Sequence, residues 1–267
     1  MAPLRLAAAL VVLLLVLGCS KAKERNGPIR VGVLQSYTGV MAVSGSSVRD
    51  AVLLAIDEVN AKGGVLGRKI EPVVVDAQSD DGRYPLEAER LISVEKVSVV
   101  FGCWKSSNRE TIKPIFEKHD HLLVYPVQYE GLEESPNIVY LGATPNQQIV
   151  PAVKWCLDNV GRKFFLVGSD YVFPRTANAI VRELVAALKG EVVGEEYVRN
   201  DGSNVAAVAA KIASVGPSVI LNTINGSPNK AFFHALRAAG VTPKTCSRCC
   251  RRISRRSRGS RGCTCTR

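Results

Sequence analysis

The sequence predicts an α/β protein built from two parallel sheets with helices on both faces. From Ile29 onward, short apolar runs alternate with segments whose apolar residues recur at helical spacing, a pattern typical of parallel β-α-β units. The alternation restarts after Tyr140, which indicates a second lobe. The 267 residues are 46% hydrophobic and 22% charged, a composition typical of a folded globular protein.

The first lobe is predicted to contain four strands and three helices. The strands are predicted at residues 29–34, 69–76, 97–101 and 121–125. The helices are predicted at residues 46–62, 85–95 and 108–119. The first helix has its apolar residues on one face and ends at Gly63-Gly64. Each predicted helix follows a strand and returns the chain for the next one, as parallel pairing requires.

The second lobe repeats this order. Its strands are predicted at residues 163–167, 191–197 and 218–222. Its helices are predicted at residues 151–159, 175–189, 205–213 and 229–239. Because ligands of such sheets bind beyond the carboxyl ends of the strands, the residues after each strand are the candidates for a site.

These candidate loops are rich in aromatic side chains and in hydroxyl and amide groups, and Lys105 and Asp170 are their only charges. The pattern predicts a small, neutral ligand held by hydrogen bonds against aromatic walls. We interpret Lys105 as pointing outward, and the acidic pairs Asp80-Asp81 and Glu133-Glu134 as solvated charges.

The sequence predicts no catalytic or cofactor site. It contains no phosphate-binding glycine loop, no HExxH and no GxSxG. Cys103 follows a strand, but no histidine follows a strand end to act as its base. We therefore interpret Cys103 as a buried apolar residue and the protein as a binding protein rather than an enzyme.

The net charge of +11 is concentrated at one end of the chain. Residues 246–267 contain eight arginines, no acidic residue and five of the eight cysteines, so the rest is nearly neutral. A nucleic-acid partner is therefore not expected, since a protein that binds nucleic acid carries a basic patch on its folded domain. The CxxC spacing at Cys246 and Cys249 has no matching second half, so no metal is predicted.

The first 19 residues have the features of an export signal. Arg5 precedes an apolar run over residues 6–17, which is too short for a membrane span of about 20 residues but suits a signal peptide. Residues 16–19 read VLGC and resemble a bacterial lipobox. We expect a lipoprotein signal peptide at 1–19, a lipid anchor on Cys19 and a polar tether at 20–28. The alternative is a plain secretory signal.

Five segments carry a resemblance to a known family. They read GCWKSSNR at 102–109, YPVQYEG at 125–131, SPNIVY at 135–140, ATPNQQ at 143–148 and GSDYVFPRTAN at 168–178. Together they resemble the urea-binding lipoproteins of urea ABC importers and, less closely, the short-chain amide sensors of amidase operons. Both belong to the branched-chain-amino-acid-type solute-binding proteins.

The resemblance implies a type I periplasmic-binding-protein fold, in which two doubly wound parallel-sheet lobes joined by a hinge close on a ligand. Lobe 1 would span 29–143, the first hinge crossing 144–148 and lobe 2, incomplete, 149–244. The closed form would deliver urea or a small amide to ABC permease subunits outside the cytoplasmic membrane, on the periplasmic or extracellular face. The implied ligand residues are Trp104, Ser106, Tyr125 and Gln128 from lobe 1 and Tyr171, Thr223 and Asn225 from lobe 2.

Two alternatives remain open for the function, a branched-chain amino acid ligand and an amide-responsive regulator. The leader argues against the regulator, because such sensors are cytoplasmic. The resemblance ends after Lys244, and we expect 245–267 to be an aberrant, frame-shifted tail that leaves the chain truncated relative to the family.

Overall fold

The computed structural model describes residues 27–242 and places them in two lobes, each with its own parallel sheet. The predicted signal peptide with Cys19, most of the tether and the tail at 245–267 lie outside the described residues. The predicted α/β architecture with two parallel sheets is confirmed.

The first lobe contains five strands and three helices. The strands are β1 (Ile29–Gln35), β2 (Ile70–Asp76), β3 (Val100–Gly102), β4 (Leu123–Tyr125) and β5 (Ile138–Tyr140). They are all parallel, in the order β2-β1-β3-β4-β5. The helices are α1 (Ala42–Ala61), which follows a short 3-10 turn at Gly39–Met41, α2 (Arg83–Ser93) and α3 (Ser106–Lys118).

The second lobe contains three described strands and four helices. The strands are β6 (Lys163–Ser169), β7 (Glu191–Val198) and β8 (Val219–Thr223), parallel in the order β7-β6-β8. The helices are α4 (Pro145–Asn159), α5 (Val172–Ala187), α6 (Val205–Ser214) and α7 (Pro228–Ala238).

The central strand β6 explains why helices cover both faces of the second sheet. Phe164 and Leu166 are buried in a core shared with α4 and α5, whereas Phe165 and Val167 are buried in a core shared with α6 and α7. Since successive side chains of a strand point to opposite faces, a continuous apolar run needs cover on both. Each buried side chain of this size contributes about 1.5–3 kcal/mol to folding.

Helix α1 lies against the first sheet and is covered on one side. Gly45 is required there because a Cβ at this position would lie 1.8 Å from the Ser36 carbonyl oxygen. The outer side exposes Val43 and Leu54 to 77% and 61%. The stretch Gly39–Ala61 is long and apolar enough to cross a membrane, but helices in the core of a folded protein meet the same two criteria.

Two elements differ from the sequence-based prediction. Helix α4 begins at Pro145 rather than at residue 151, because Thr144 and Gln147 form a capping box with proline at the first helical position. Residues 145–148, predicted as part of the hinge crossing, therefore form the first turn of α4. Strand β5 pairs with β4 but was not predicted, since its three residues are too few to show a periodicity.

Both sheets have a switch point beside their first strand. Strand β1 lies between β2 and β3, and β6 lies between β7 and β8. In each sheet, the loops that follow two neighbouring central strands therefore lead in opposite directions. This leaves a crevice between the loops at the carboxyl ends of the strands. The functional site is expected at these two crevices.

Candidate ligand site

A cavity of about 80 Å³ lies between the two lobes. It is bordered by residues at or just after the carboxyl ends of β1, β2 and β3 in one lobe and of β6, β7 and β8 in the other. These residues are Val40, Met41, Ser79, Asp81, Lys105, Ser169, Tyr171, Asn200 and Asn225. The two switch points therefore face each other across one cavity. Tyr171 and Asn225 are the predicted ligand residues among the described residues that border it.

Tyr171 and Asn225 join the ends of two neighbouring strands in the second lobe. The Asn225 side-chain amide donates a hydrogen bond of 2.7 Å to the Tyr171 hydroxyl, and the Asn225 backbone N–H donates to Ser169 Oγ at 2.9 Å. Burial raises the pKa of the Tyr171 phenol, so this hydroxyl stays protonated. The second lobe thus presents neutral hydrogen-bonding groups to the cavity.

Lys105 points inward, so the expectation that it points outward was wrong. Its side chain is 7% exposed, and its Nζ donates to Asp81 Oδ2 at 2.8 Å. Asn108 Nδ2 donates to the other Asp81 oxygen at 2.8 Å. Asp81, which we expected to be solvated, is therefore held by two groups from the start of α3. The cavity contains a charge pair whose two members neutralise each other.

The two lobes also touch beside the cavity. The Ser227 backbone N–H donates to the Val40 carbonyl oxygen at 3.0 Å. Gly226, with a φ of +74°, lies so close that a Cβ there would be 2.5 Å from the same oxygen. The Lys105 ammonium lies 5.9 Å from the centre of the Tyr171 ring, across the cavity. These contacts hold the lobes together around the cavity.

Three of the predicted first-lobe residues form a wall near the cavity. Tyr125 is fully buried, and its hydroxyl donates to the Trp104 carbonyl oxygen at 2.9 Å. Burial raises the pKa of the Tyr125 phenol. Ser106 begins α3 and is buried, and its hydroxyl has no hydrogen-bond partner among residues 27–242. These side chains are positioned by the chain after β3 and by the end of β4.

Gln128 and Thr223 are not among the described residues that border the cavity. Gln128 is half-buried in the loop after β4, and its backbone carbonyl oxygen lies 3.4 Å from the Tyr125 hydroxyl. Thr223 ends β8, and its hydroxyl donates to the Val167 carbonyl oxygen at 3.2 Å. The Thr223 hydroxyl proton is therefore used within the sheet in this arrangement of the lobes.

Sequence reasoning missed a buried charge cluster next to this wall. Arg109, in α3, is fully buried and donates to Glu130 Oε2 at 3.0 Å and to Glu133 Oε1 at 2.8 Å. Its guanidinium carbon lies within 6 Å of the ring centres of Tyr125, Tyr129 and Tyr140. The expectation that Glu133 is solvated was therefore wrong. Arg109 shares a helical face with Ile112 and Phe116, and this spacing was the available signal for its burial.

Cys103 is confirmed as a buried residue that packs in the first core. Burial raises the pKa of its thiol, which disfavours the nucleophilic thiolate. Within residues 27–242, no group of three or more His, Cys, Asp or Glu side chains is placed to hold a metal ion. The described residues around the cavity therefore offer hydrogen-bonding groups and one ion pair between two protein side chains.

A family model described as "Periplasmic binding protein domain" matches residues 29–257, most of the chain. The chain belongs to this periplasmic binding protein family. The match extends past Lys244, where the resemblance to urea-binding lipoproteins ends. Among curated relatives, Leu/Ile/Val-binding protein homolog 7 of Brucella suis is 37% identical over 109 residues, which are 41% of this chain and 26% of the relative. Leu/Ile/Val-binding protein BraC3 of Rhizobium johnstonii is 25% identical over 58% of this chain and 43% of its own.

Solved periplasmic binding proteins share the fold. A solute-binding protein of an ABC transporter from Rhodopseudomonas palustris BisB5, in complex with 3,4-dihydroxybenzoic acid, has a TM-score of 0.74 and 22% identity over 82% of this chain and 60% of its own. LivJ from Streptococcus pneumoniae, in complex with isoleucine, has a TM-score of 0.70 and 23% identity over 80% of this chain and 62% of its own. This chain therefore spans about three-fifths of these structures and less than half of the curated relatives.

Proposed function

We propose that this chain is the solute-binding component of an ABC importer and that it binds urea or a small neutral amide between its lobes. The observation that carries this proposal is the cavity at the two facing switch points. It is small, and the charged residues among the described residues that border it, Lys105 and Asp81, form an ion pair. A charged ligand would have to break the Lys105–Asp81 pair, whereas a neutral ligand leaves it intact.

The size of the cavity supports a ligand of few heavy atoms. Its volume of about 80 Å³ is smaller than the roughly 150 Å³ of an engineered cavity that takes up benzene. The ligands named for the structural neighbours, dihydroxybenzoate and isoleucine, are both larger than urea or acetamide. The present separation of the lobes therefore favours the smaller ligands.

The polar groups around the cavity also suit an amide. Urea offers one acceptor oxygen and four N–H donors, and each unmatched polar group that is buried costs roughly 1–3 kcal/mol. Tyr171, Asn225 and Ser169 offer hydroxyl and amide groups from lobe 2. We propose that Trp104, Ser106, Tyr125, Gln128 and Thr223 complete the site when the lobes adjust to the ligand.

A ligand panel tests this proposal by thermal unfolding and calorimetry of the full chain. Four heavy atoms at about −1.5 kcal/mol each limit urea to a Kd of tens of micromolar. Ligand at 100 times its Kd stabilises the folded state by about 2.7 kcal/mol, so millimolar urea or acetamide should raise the melting temperature by several degrees. A shift with leucine or benzoate, and none with urea or acetamide, would reject the amide assignment.

A branched-chain amino acid is the second candidate. The observation in its favour is that Lys105 and Asp81 both border the cavity and could separate to hold the carboxylate and ammonium of a zwitterion. The names of the curated relatives point the same way. Leucine binding that disappears in both Lys105→Met and Asp81→Asn would support this candidate, because each variant removes one of the two charges.

The partners follow from the proposed transport role. We propose that the protein works on the periplasmic or extracellular side of a membrane, attached by a lipid on Cys19, and passes its ligand to an ABC permease. Incorporation of labelled palmitate into the wild-type chain, and none into Cys19→Ser, is the expected result. Labelling of both chains or of neither would contradict the anchor. The export signal favours this role over that of a cytoplasmic amide sensor.

A further inference from the structure

Two buried polar atoms next to the wall that contains Tyr125 have no hydrogen-bond partner among residues 27–242. They are Arg109 Nη1 and Glu130 Oε1. The other nitrogen of the same fork, Arg109 Nη2, donates to the other oxygen of the same carboxylate at 3.0 Å. One free donor and one free acceptor therefore lie on two groups that are already joined, in side chains exposed to 0% and 5%.

Leaving these two groups unpaired is unfavourable, because a buried donor or acceptor of a charged group has lost its water without replacement. Arg109 is otherwise well held, since its Nε donates to Glu133 and its guanidinium stacks near Tyr125. The arrangement is thus fixed before any ligand arrives, and its two free positions point to a missing partner that both accepts and donates.

The pair lies where the second lobe covers the first. Arg109 is 4.8 Å from the centre of the Tyr125 ring, and Tyr125 belongs to the predicted ligand wall. Burial raises the pKa of Tyr171, and the Glu130 carboxylate raises it further. Helix α3, which carries Arg109, packs against α5 of lobe 2, the helix that begins directly after Tyr171. Separation of the lobes would move Tyr171 away from lobe 1 and open this region to a ligand.

We propose that Arg109 and Glu130 form an inner subsite that binds one carboxamide edge of the ligand. The Nη1 N–H donates to the ligand carbonyl oxygen, and Glu130 Oε1 accepts a ligand N–H. This inference rests on the proposed function and narrows it to ligands with a primary amide or urea group. A carboxylate ligand would place its negative charge against Glu130 and be rejected, so Glu130 is a specificity-determining residue.

Acetamide and acetate provide a matched pair of probes, because they have the same shape and differ in whether they carry an N–H donor. In the full chain, we expect acetamide to bind at least tenfold more tightly than acetate. Glu130→Gln supplies an N–H donor beside Arg109 and removes the negative charge. We expect it to reduce the preference to less than twofold or to reverse it.

Glu133→Gln is the matched control, since it changes the other carboxylate held by Arg109 and leaves the two free atoms in place. It should keep the wild-type ratio of acetamide to acetate affinity. If an ordered water completes the two groups instead, Glu130→Gln will keep the wild-type ratio as well, which overturns the inference but leaves amide binding intact. Absence of both urea and acetamide binding in the wild type would instead reject the proposed function and this subsite together.

A measurement on the wild-type chain covers the case in which Glu130→Gln does not fold. Urea should move the ¹⁵N resonances of one buried guanidinium, assigned to Arg109 by its loss in Arg109→Lys. Urea that binds by calorimetry without moving that signal would overturn the subsite.

Discussion

The side-chain amide of Asn225 donates a hydrogen bond of 2.7 Å to the hydroxyl of Tyr171, which links the loops after β8 and β6 at the cavity. Among residues 27–242, the Tyr171 O–H proton and Asn225 Oδ1 have no other hydrogen-bond partner, so the first can donate and the second can accept. A phenol and a carboxamide that are bound to each other thus offer one donor and one acceptor to a neutral ligand, as the proposed amide ligand requires.

Tyr171→Phe tests this pair. The variant removes the donor and the partner of the Asn225 amide, while the ring stays in place. A net hydrogen bond contributes about 0.5–1.5 kcal/mol, so the Kd for acetamide should rise about two- to tenfold in calorimetry. Tyr129→Phe is the control, because the Tyr129 ring stacks on Tyr140 at 4.5 Å, outside the residues that border the cavity. Equal effects of the two variants would contradict the assignment.

The Lys105–Asp81 pair should respond unequally to removal of its two members. Asp81→Asn leaves a nearly buried ammonium without its counter-ion, which should lower the free energy of unfolding by about 3 kcal/mol. Lys105→Met leaves a carboxylate that is 46% exposed and still bonded to Asn108, so its loss should be about 1 kcal/mol.

Thermal unfolding of both variants measures the difference. Asp170→Asn provides the control, because its pair with Arg175 is about half exposed on both sides and should contribute at most about 1 kcal/mol. Similar losses in Asp81→Asn and Lys105→Met would show that Lys105 reaches solvent, contrary to the structure.

The pH dependence of stability should reveal the Arg109 cluster. Burial alone would raise the pKa of Glu133, but the hydrogen bonds from Arg109 and Tyr140 and the Arg109 charge outweigh it and lower the pKa. A lowered folded-state pKa means that the stabilisation is present above the ordinary value of 4.5 and is lost as the pH falls through the folded-state value.

We therefore expect the melting temperature to fall steeply below about pH 4.5 in the wild type. Glu133→Gln should melt lower at pH 7 and show a flatter decline in acid, because the titrating group is gone. The protein should be unfolded by heat rather than by urea in this experiment, because urea is the proposed ligand. Parallel wild-type and Glu133→Gln curves would exclude Glu133 as a source of the acid sensitivity.

The sequence predicted the fold well because its main signals are local. Periodicity located seven of the eight described strands and all seven described helices, and it failed for β5, which is held by pairing to β4 rather than by its own pattern. The start of α4 was missed because apolar spacing gives no weight to a cap, although Thr144, Pro145 and Gln147 carried that signal.

The ligand site was less predictable, because strand ends give the loops but not the direction of each side chain. This reasoning selected Tyr171 and Asn225, which border the cavity. It misjudged Lys105, since whether a lysine points in or out depends on a partner, Asp81, that is distant in sequence. It missed Arg109 for a related reason: its burial is made possible by two glutamates on the loop after β4, which only the folded chain brings to it.

Gly226 provides a test of whether contact between the lobes matters for binding. Its φ of +74° disfavours any other residue, and a Cβ would lie 2.5 Å from the Val40 carbonyl oxygen of the opposite lobe. Gly216 has a φ of +75° but open space around it, so Gly216→Ala reproduces the backbone strain alone.

Both alanine variants should lower the free energy of unfolding by about 1–2 kcal/mol through that strain. Only Gly226→Ala should also weaken acetamide binding, by tenfold or more, because it pushes apart the two loops that enclose the cavity. Calorimetry measures acetamide binding by the two variants, and any loss of stability in Gly226→Ala beyond that of Gly216→Ala reports the clash with Val40. If Gly226→Ala binds acetamide as tightly as Gly216→Ala, the ligand does not require the close approach of the lobes at Val40.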